Sequence, residues 1–411
     1  MTVERHDSRR RARWAVVAAM VLAAAALSMP VASAADDQGY FEVYGFAQLD
    51  YIQDFDRVDP NWTDTLRPSK IPTVEGLYGA NGQAILSVRQ SRLGVQANFP
   101  TSHGAVYTKF EFDMFGTGGD EGKTTIRLRH AYGQWEQLLA GQTNSLFMDG
   151  SIFPNVVDYW GPAGMVFLRT PQIRWTPISG ANSFAIAIEK PSNDIDSGVV
   201  RVIDPALAED IQASQRIPDF TAQYRRERDW GHLQIAGILR QVSFDTLGTT
   251  NNEPKDSQLG WGIDVTSGIK VAKKDQVLVG VVYGHGISSY MNDGGTDLAP
   301  GGTLASPNAT AVPLFGISAY YDRYWSDRFS SSFGYSQTHV DNTSGQLGDA
   351  FKSGQYASAN FLYYPTTNMF IGLEGLWGER KDNGGATGID RRTQISFHYN
   401  FSGKHIFGDK Q

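Results

Sequence analysis

The sequence predicts an all-β protein: a 16-stranded antiparallel transmembrane β-barrel with a loop folded inward as a constriction. Three observations predict this fold. The chain begins with a typical export signal, and the rest of it divides into sixteen segments in which apolar and polar residues alternate. The third observation is an apolar stretch at 150–170 that proline and glycine interrupt too often for a strand or a helix.

The first 34 residues have the layout of a secretory signal peptide. Four arginines between positions 9 and 13 precede an apolar run at 14–27, and small residues at 32–34 follow it. The apolar run is shorter than the roughly 20 residues that a membrane-spanning helix needs. We therefore expect cleavage after Ala34 rather than a membrane anchor, which leaves 35–411 as one barrel domain.

Composition narrows the function. Removing 1–34 takes away five arginines and two acidic residues, which leaves 31 basic and 41 acidic residues and a formal charge of −10. Nucleic acid is therefore not an expected partner. The chain has no cysteine, and its eight histidines are scattered without the spacing of metal ligands or of a catalytic group. We expect no metal, no cofactor and no enzymatic activity.

Strand periodicity is clearest at the end of the chain. From Thr393 to Phe401, β-branched or aromatic residues at odd positions alternate with polar residues at even positions. Similar segments recur along the chain, and their number is even, as in bacterial single-chain barrels. The sixteen predicted strands are 40–54, 84–99, 104–115, 125–135, 137–149, 172–177, 182–190, 218–227, 230–244, 258–271, 275–288, 312–325, 328–340, 351–364, 368–381 and 390–401.

The connections between these strands alternate in length. Tight turns, such as 135–137 and 365–367, alternate with long polar stretches, among them 55–83, 191–217 and 289–311. Short periplasmic turns and long extracellular loops are typical of outer-membrane barrels. The stretch 150–170 is different, because most of its residues are apolar. We expect it to fold into the lumen, since a surface loop would leave those side chains in water.

Alternation also predicts which charges face the lumen, because a charge on the lipid face costs about 2–4 kcal/mol at the bilayer midplane. A bulge near Gln90 and Ser91 reconciles two conflicting phases in the second strand. The lumenal cations predicted in this way lie on consecutive strands, and the inserted loop adds three polar residues at its tip and end. The candidate pore-lining residues are Arg89, Arg92, Lys109, Arg127, Arg129 and Arg174 on strands, and Asp158, Tyr159 and Arg169 on the loop.

Two interpretations of these cations remain open. The arginines could pair with Glu111, Asp113 and the loop acids and only hold the loop in place. Alternatively, six strand cations exceed the nearby acids and make the throat electropositive. In the second case permeation would favour anions, since arginine binds a carboxylate through two hydrogen bonds.

Several segments resemble the DcaP-like porins. The likeness is dense over residues 40–177 and diffuse afterwards. The segments that carry it are VYGFAQLDYIQDF, RQSRLGV, KFEFDMFG, RLRHAYGQW, LLAGQTNSLFMD and FPNVVDYWGP. The resemblance implies a trimeric sixteen-stranded outer-membrane channel that favours small organic anions, including aromatic dicarboxylates. By position it also implies a constriction formed by Arg89, Arg92, Arg127 and Arg129 with the loop through Asp158 and Tyr159.

The chain departs from this family pattern at both ends. Family members can carry a periplasmic helical segment, whereas only residues 35–39 precede the first predicted strand here, so a trimer would rest on barrel contacts. Barrel assembly signals usually end on an aromatic residue, but ten residues follow Phe401. Either Phe401 is the signal from an internal position, or the strand continues to Phe407. Because the alternation stops at Phe401, we expect Phe401 to be the signal.

The sequence therefore predicts an outer-membrane porin. We expect its partners to be outer-membrane lipid, the barrel-assembly machinery and two further copies of the chain. We expect its solutes to be small organic anions such as (di)carboxylates. A general or cation-tolerant porin is the alternative, since the mature charge is −10. A secreted all-β binding protein is the remote alternative.

Overall fold

The protein is built almost entirely of long antiparallel strands. The structure is a computed structural model and describes residues 38–117, 125–303 and 306–407; the predicted signal peptide lies outside them. The strands in this part of the chain are β1 Tyr40–Asp54, β2 Gln83–Ser87, β3 Arg92–Thr101, β4 Gly104–Gly116, β5 Thr125–Trp135, β6 Leu138–Asn144, β7 Arg169–Ile178, β8 Asn182–Glu189, β9 Ile211–Ser214, β10 Asp219–Arg228, β11 Gly231–Thr246, β12 Asp256–Lys270, β13 Gln276–His285, β14 Leu298–Thr303, β15 Ser306–Ala311, β16 Pro313–Ser326, β17 Phe329–Val340, β18 Phe351–Thr366, β19 Met369–Asp382 and β20 Thr387–Ile406.

The wall of the barrel has sixteen strands, as the sequence predicts. β2 and β3 both pair with β1, so they form one wall strand that is interrupted at 88–91. β9 and β10 likewise both pair with β11. β14 and β15 form a separate hairpin. The other strands pair antiparallel with their neighbours. The last strand, β20, pairs with the whole length of β1, which closes the sheet into a barrel.

The two faces of the wall differ in polarity. On β19, for example, Leu373 is half exposed on the outside, whereas the next residue, Glu374, is buried on the inside. Large apolar side chains cover the outer face of most strands, as a lipid-facing band requires. Among the described residues, no helix is long and apolar enough to cross a membrane.

The loop between β6 and β7 folds into the lumen, as predicted. It contains the 3-10 helix Gly150–Ile152, and its apolar side chains, among them Val157 and Met165, are buried. Gly164 brings the loop against the opposite wall: a Cβ there would lie within 2.5 Å of the Ile317 carbonyl oxygen on β16. The segment 145–168, called the constriction loop below, therefore crosses the barrel from one wall to the other.

Two further extracellular loops fold inward, which the sequence did not predict. The first loop, 55–82, contains the 3-10 helices Pro60–Trp62 and Pro68–Lys70, and its Leu66 and Ile71 are fully buried. The loop 286–312 contains the 3-10 helix Ser288–Tyr290 and the β14–β15 hairpin. The sequence marks both stretches only as long and polar, and their few apolar residues pack against the constriction loop.

The loop between β8 and β9 contains two short helices, α1 Val200–Ile203 and α2 Pro205–Asp210, and the 3-10 helix Thr250–Asn252 precedes β12.

The last strand is longer than predicted. β20 continues five residues past Phe401 to Ile406. It does so because β1 begins at Tyr40, and the first residues of β1 pair with Ser402 to Ile406. The Phe407 amide then donates to the Gly39 carbonyl at 2.9 Å. The expectation that the strand ends at Phe401 is therefore wrong.

Candidate constriction site

Five cations form a cluster on the inner wall. We call Arg92, Lys109, Arg127, Arg129 and Arg169 the basic ridge. The strand register sets its geometry, because Asp113 of β4 lies opposite Arg92 of β3 on one side and Arg127 of β5 on the other. Three charged side chains therefore occupy one level of the wall.

A bulge in β5 adds a fourth charge to this cluster. Phe112 pairs with Leu128, but Glu111 pairs with His130, so Arg129 is an extra residue in the ladder. A bulge re-aims side chains that strict alternation would separate. Here it turns two consecutive residues, Arg129 and His130, toward the lumen, where Arg129 contacts Glu111 and Asp113 and His130 contacts Thr143.

Two carboxylates bind most of the ridge. Arg127 donates to both oxygens of Asp113, at 3.2 and 2.9 Å. Arg129 joins the two acids, with Nε 2.7 Å from Glu111 and Nη1 3.0 Å from Asp113. The Lys109 amine lies 3.6 Å from Glu111, and Arg92 Nε lies 3.7 Å from it. The carboxylates are buried beneath the cations.

Positive charge exceeds negative charge at the ridge. Four of the five cations pair with the two carboxylates. Within the described residues Arg169 makes no ion pair; its guanidinium packs 4.8 Å from the centre of the Phe167 ring and is repelled by the neighbouring arginines. Three of the cations are still accessible: 30% of the Arg127 side chain, 26% of Arg92 and 22% of Lys109 are exposed.

Tyr159 joins the constriction loop to the ridge. Its hydroxyl donates a short hydrogen bond to Asp113 and accepts one from Arg129 Nη1 at 3.0 Å. Its ring stacks on Phe115 at 3.8 Å between centroids, and the Arg127 guanidinium lies 5.2 Å from the ring centre. The tip of the loop is therefore fixed beside the accessible cations.

The structure places two other predicted cations outside the ridge. Arg89 pairs with Asp64 at 2.5 Å and donates to the Gly116 carbonyl at 2.9 Å, so it holds the first loop and is neutralised there. Arg174 donates to Gln172 at 3.0 Å and to the Asn144 carbonyl at 2.5 Å. It faces inward, but below the ridge on β7.

Asp158 differs most from expectation, since it does not line a water-filled path. It is only 2% exposed. It accepts hydrogen bonds from the Thr65 hydroxyl at 2.7 Å, the Leu66 amide at 3.1 Å and the Tyr356 hydroxyl at 3.1 Å. Burial raises the pKa of its carboxyl. The residue is an anchor between the constriction loop, the first loop and β18.

The root of the constriction loop is anchored by a second carboxylate, Asp149. It lies 2.8 Å from His232 Nε2 and accepts from Thr266 at 2.7 Å and from Arg225 at 3.0 Å. Burial alone would raise the pKa of Asp149, but the hydrogen bonds from His232, Ser151 and Thr266 hold it well below the usual range.

Sequence reasoning missed a group of residues on the first loop. Trp62 and Arg67 reach the constriction loop, and Asp293 meets them from a third loop. The sequence does contain a sign of this contact. Trp62, Leu66 and Ile71 are large apolar residues, which are usually buried, within an otherwise polar loop.

A closed sixteen-stranded barrel, with an apolar outer band and a lumen narrowed by an inserted loop, defines the class of protein. It is a porin, a diffusion channel of the outer membrane.

The family follows from the sequence match. The model of the DcaP outer membrane protein family matches residues 15–401, so the chain belongs to that family. A search of curated proteins found no sequence that matches the chain.

Solved structures share the fold. The outer membrane channel DcaP of Acinetobacter baumannii is 20% identical, with a TM-score of 0.75 over 90% of this chain and 100% of that one. An anion-selective porin from Comamonas acidovorans is 7% identical, with a TM-score of 0.57 over 89% of this chain and 100% of the other. Salmonella typhi OmpF in complex with daunomycin is 12% identical, with a TM-score of 0.54 over 90% and 99%.

Proposed function

We propose that this porin prefers small organic anions such as (di)carboxylates. The observation that carries the proposal is the charge excess of the basic ridge, where four cations pair with two carboxylates and Arg169 adds a fifth positive charge beside them. The buried carboxylates fix the guanidinium groups in place without neutralising all of them. An arginine that is already oriented can bind a solute carboxylate with little loss of side-chain entropy.

The accessible cations are spread along the path of a solute. Arg92 and Arg127 lie at the level of Asp113, whereas Lys109 lies four residues nearer the periplasmic end of β4. At about 3.3 Å per residue, an anion meets positive charge over roughly 13 Å of wall. A low-dielectric wall strengthens this attraction relative to bulk water.

A general or cation-tolerant porin is the competing proposal. It is favoured by the acidic mature chain and by carboxylates elsewhere on the inner wall, such as Glu189, Asp219 and Asp264. Those carboxylates are buried, and Asp219 pairs with Arg240 at 3.2 Å. They act on permeating ions less directly than the partly exposed ridge cations do.

The test is the reversal potential of the purified protein in a planar bilayer under a potassium chloride gradient. We expect an anion-selective wild type, and a fall of at least about twofold in the anion-to-cation permeability ratio for Arg92→Gln with Arg127→Gln. Arg391→Gln is the control for loss of an arginine charge elsewhere, because Arg391 is mostly exposed and pairs with Asp56 away from the ridge. Cation preference in the wild type would support the competing proposal and reject ours.

We also propose that the chain works as a homotrimer in contact with outer-membrane lipid, delivered by the barrel-assembly machinery after cleavage behind Ala34. Membership of the DcaP family and the porin fold support this proposal. Cross-linking in outer membranes should end at a species of three subunits, and the mature chain should begin at Ala35. A cross-linked ladder that ends at one or two subunits would reject the trimer.

A further inference from the structure

The first extracellular loop contacts the constriction loop through one arginine that packs against two tryptophans. The Arg67 guanidinium carbon lies 4.2 Å from the Trp62 ring centre on its own loop and 4.1 Å from the Trp160 ring centre on the constriction loop. The two rings are themselves 4.8 Å apart, edge to face. Such cation–π contacts are strongest where water is excluded, and here only 15% of the Arg67 side chain is exposed.

A third loop completes the contact. Arg67 Nε and Nη2 lie 3.0 and 2.9 Å from Asp293, whose carboxylate also accepts from the Ser69 amide at 2.7 Å. The neighbouring residue, Asn292, exchanges two hydrogen bonds of 2.7 Å with Trp160. Asp293 therefore fixes the Arg67 side chain and the backbone at Ser69 together. Trp160 is held both by Arg67 of the first loop and by Asn292 of the third loop.

This contact is adjacent in the chain to the residue that meets the ridge. Trp160 follows Tyr159, whose hydroxyl lies on Asp113 and Arg129. On the other side of Tyr159, Asp158 accepts hydrogen bonds from the first loop. Both neighbours of Tyr159 are thus held from the first loop, so the position of the Tyr159 ring depends on that loop as well as on the ridge.

We propose that Arg67 is a positioning residue of the constriction: it holds Trp160 and thereby keeps Tyr159 against the ridge, which sets the width of the channel. Arg67 does this from the extracellular side and through the constriction loop, without lining the ridge itself. The proposal rests on the porin class and on the contacts of the loops, and it does not depend on anion preference.

The experiment compares Arg67→Gln with Arg57→Gln in the full-length purified protein. Arg57 is on the same loop and loses the same charge, but it donates to the Ala80 carbonyl at 2.9 Å within its own loop. The readouts are single-channel conductance, open-channel current noise and the size of polyethylene glycol that still enters the pore. These uncharged probes report width independently of charge selectivity.

We expect Arg67→Gln to keep the folded gel mobility, to admit a larger polyethylene glycol, and to increase conductance and current noise by about twofold. Arg67→Lys should lie between it and the wild type, because lysine keeps the charge but lacks the planar guanidinium that contacts both rings. Arg57→Gln should match the wild type.

The proposal is overturned if the three proteins have the same conductance, current noise and exclusion size; the three are Arg67→Gln, Arg57→Gln and the wild type. If Arg67→Gln does not fold, Trp62→Leu provides the same test, because it removes one ring and leaves the Asp293 pair intact; a wild-type pore in that variant would also overturn it. A wider pore in a channel without anion preference would reject the proposed solute class and leave this inference standing.

Discussion

Single residues in the lumen have two different roles, which their contacts distinguish. Asp113 is buried and binds three ridge or loop side chains, whereas Arg127 above it remains partly exposed. The carboxylates therefore give the ridge its shape, and the exposed cations give it the surface that a solute meets. A buried charge that loses its partner is costly, which makes Asp113 important for order as well as for charge.

Residue orientation is easiest to predict where the periodicity is unbroken. Alternation correctly places Arg127 inward on β5. The same alternation does not reveal the bulge at Arg129. Arg129 and His130 are both polar, so the pattern is satisfied whichever of the two faces the lumen. Asp158 was misplaced because its partners Thr65 and Leu66 are more than 90 residues earlier in the chain.

Asp158 predicts an unusual pH dependence at the loop tip. Burial raises the pKa of Asp158 in the folded chain, so the ionised form destabilises the fold at neutral pH. That penalty is relieved as the pH falls through the folded pKa, and a pKa difference of one between folded and unfolded chains is worth about 1.4 kcal/mol. We expect the wild type to gain stability relative to Asp158→Asn between pH 7 and pH 4.

The measurement is denaturant-induced unfolding of both proteins in lipid vesicles at each pH. Taking the difference between the two proteins cancels the titrating groups that do not interact with Asp158. The prediction is wrong if the wild type instead loses stability relative to the variant as the pH falls. That result would mean that the folded protein favours the ionised form of Asp158.

At the scale of structural elements, the backbone of the constriction loop packs directly against the barrel wall at Gly164. Gly164 faces the Gln337 and Ile317 carbonyl oxygens, and a methyl group at this position would lie within 2.5 Å of Ile317 O. Backbone oxygens in a barrel wall yield less than flexible side chains do. Overpacking of this kind typically costs about 1–3 kcal/mol.

We therefore expect Gly164→Ala to lower the temperature at which the protein loses its folded gel mobility, and to change the single-channel conductance as the loop moves off the wall. Gly375→Ala is the control, because a Cβ there meets no atom within 4 Å. Similar melting and conductance in the two variants would mean that the loop does not depend on this close contact.

The first loop shows why an element can escape sequence analysis. Periodicity identifies strands, because each strand carries its own pattern, and the sixteen wall strands were found in this way. The inward path of 55–82 depends on Leu66 and Ile71 meeting Tyr356 and Leu376 on distant strands. Two aliphatic residues in a polar loop carry no periodic signal, so only the tertiary structure shows which surface they cover.

For the whole molecule, closure of the barrel depends on the final strand beyond Phe401. Ser402 to Ile406 pair with Tyr44 to Tyr40 at the seam between β20 and β1. Phe407 stacks on Phe99 of β3 with 5.8 Å between ring centroids. An outer-membrane barrel needs every edge paired, since unpaired backbone groups in lipid are costly.

We expect deletion of 402–411 to reduce strongly the fraction of protein that refolds in vesicles with folded gel mobility. Deletion of 408–411 retains all of β20 and Phe407, and should refold like the wild type. Equal yields from the two deletions would show that the chain up to Phe401 suffices for closure, as the alternation pattern first indicated.

The contact between Arg67 and Asp293 also bears on the order of events during folding. The two residues are 226 positions apart. Contacts between distant parts of a chain form late, because much of the intervening chain must be placed first. We therefore expect the Arg67–Asp293 contact to form only after most of the intervening wall is in place. An assembly intermediate arrested before that contact forms would then leak solutes that the finished channel excludes.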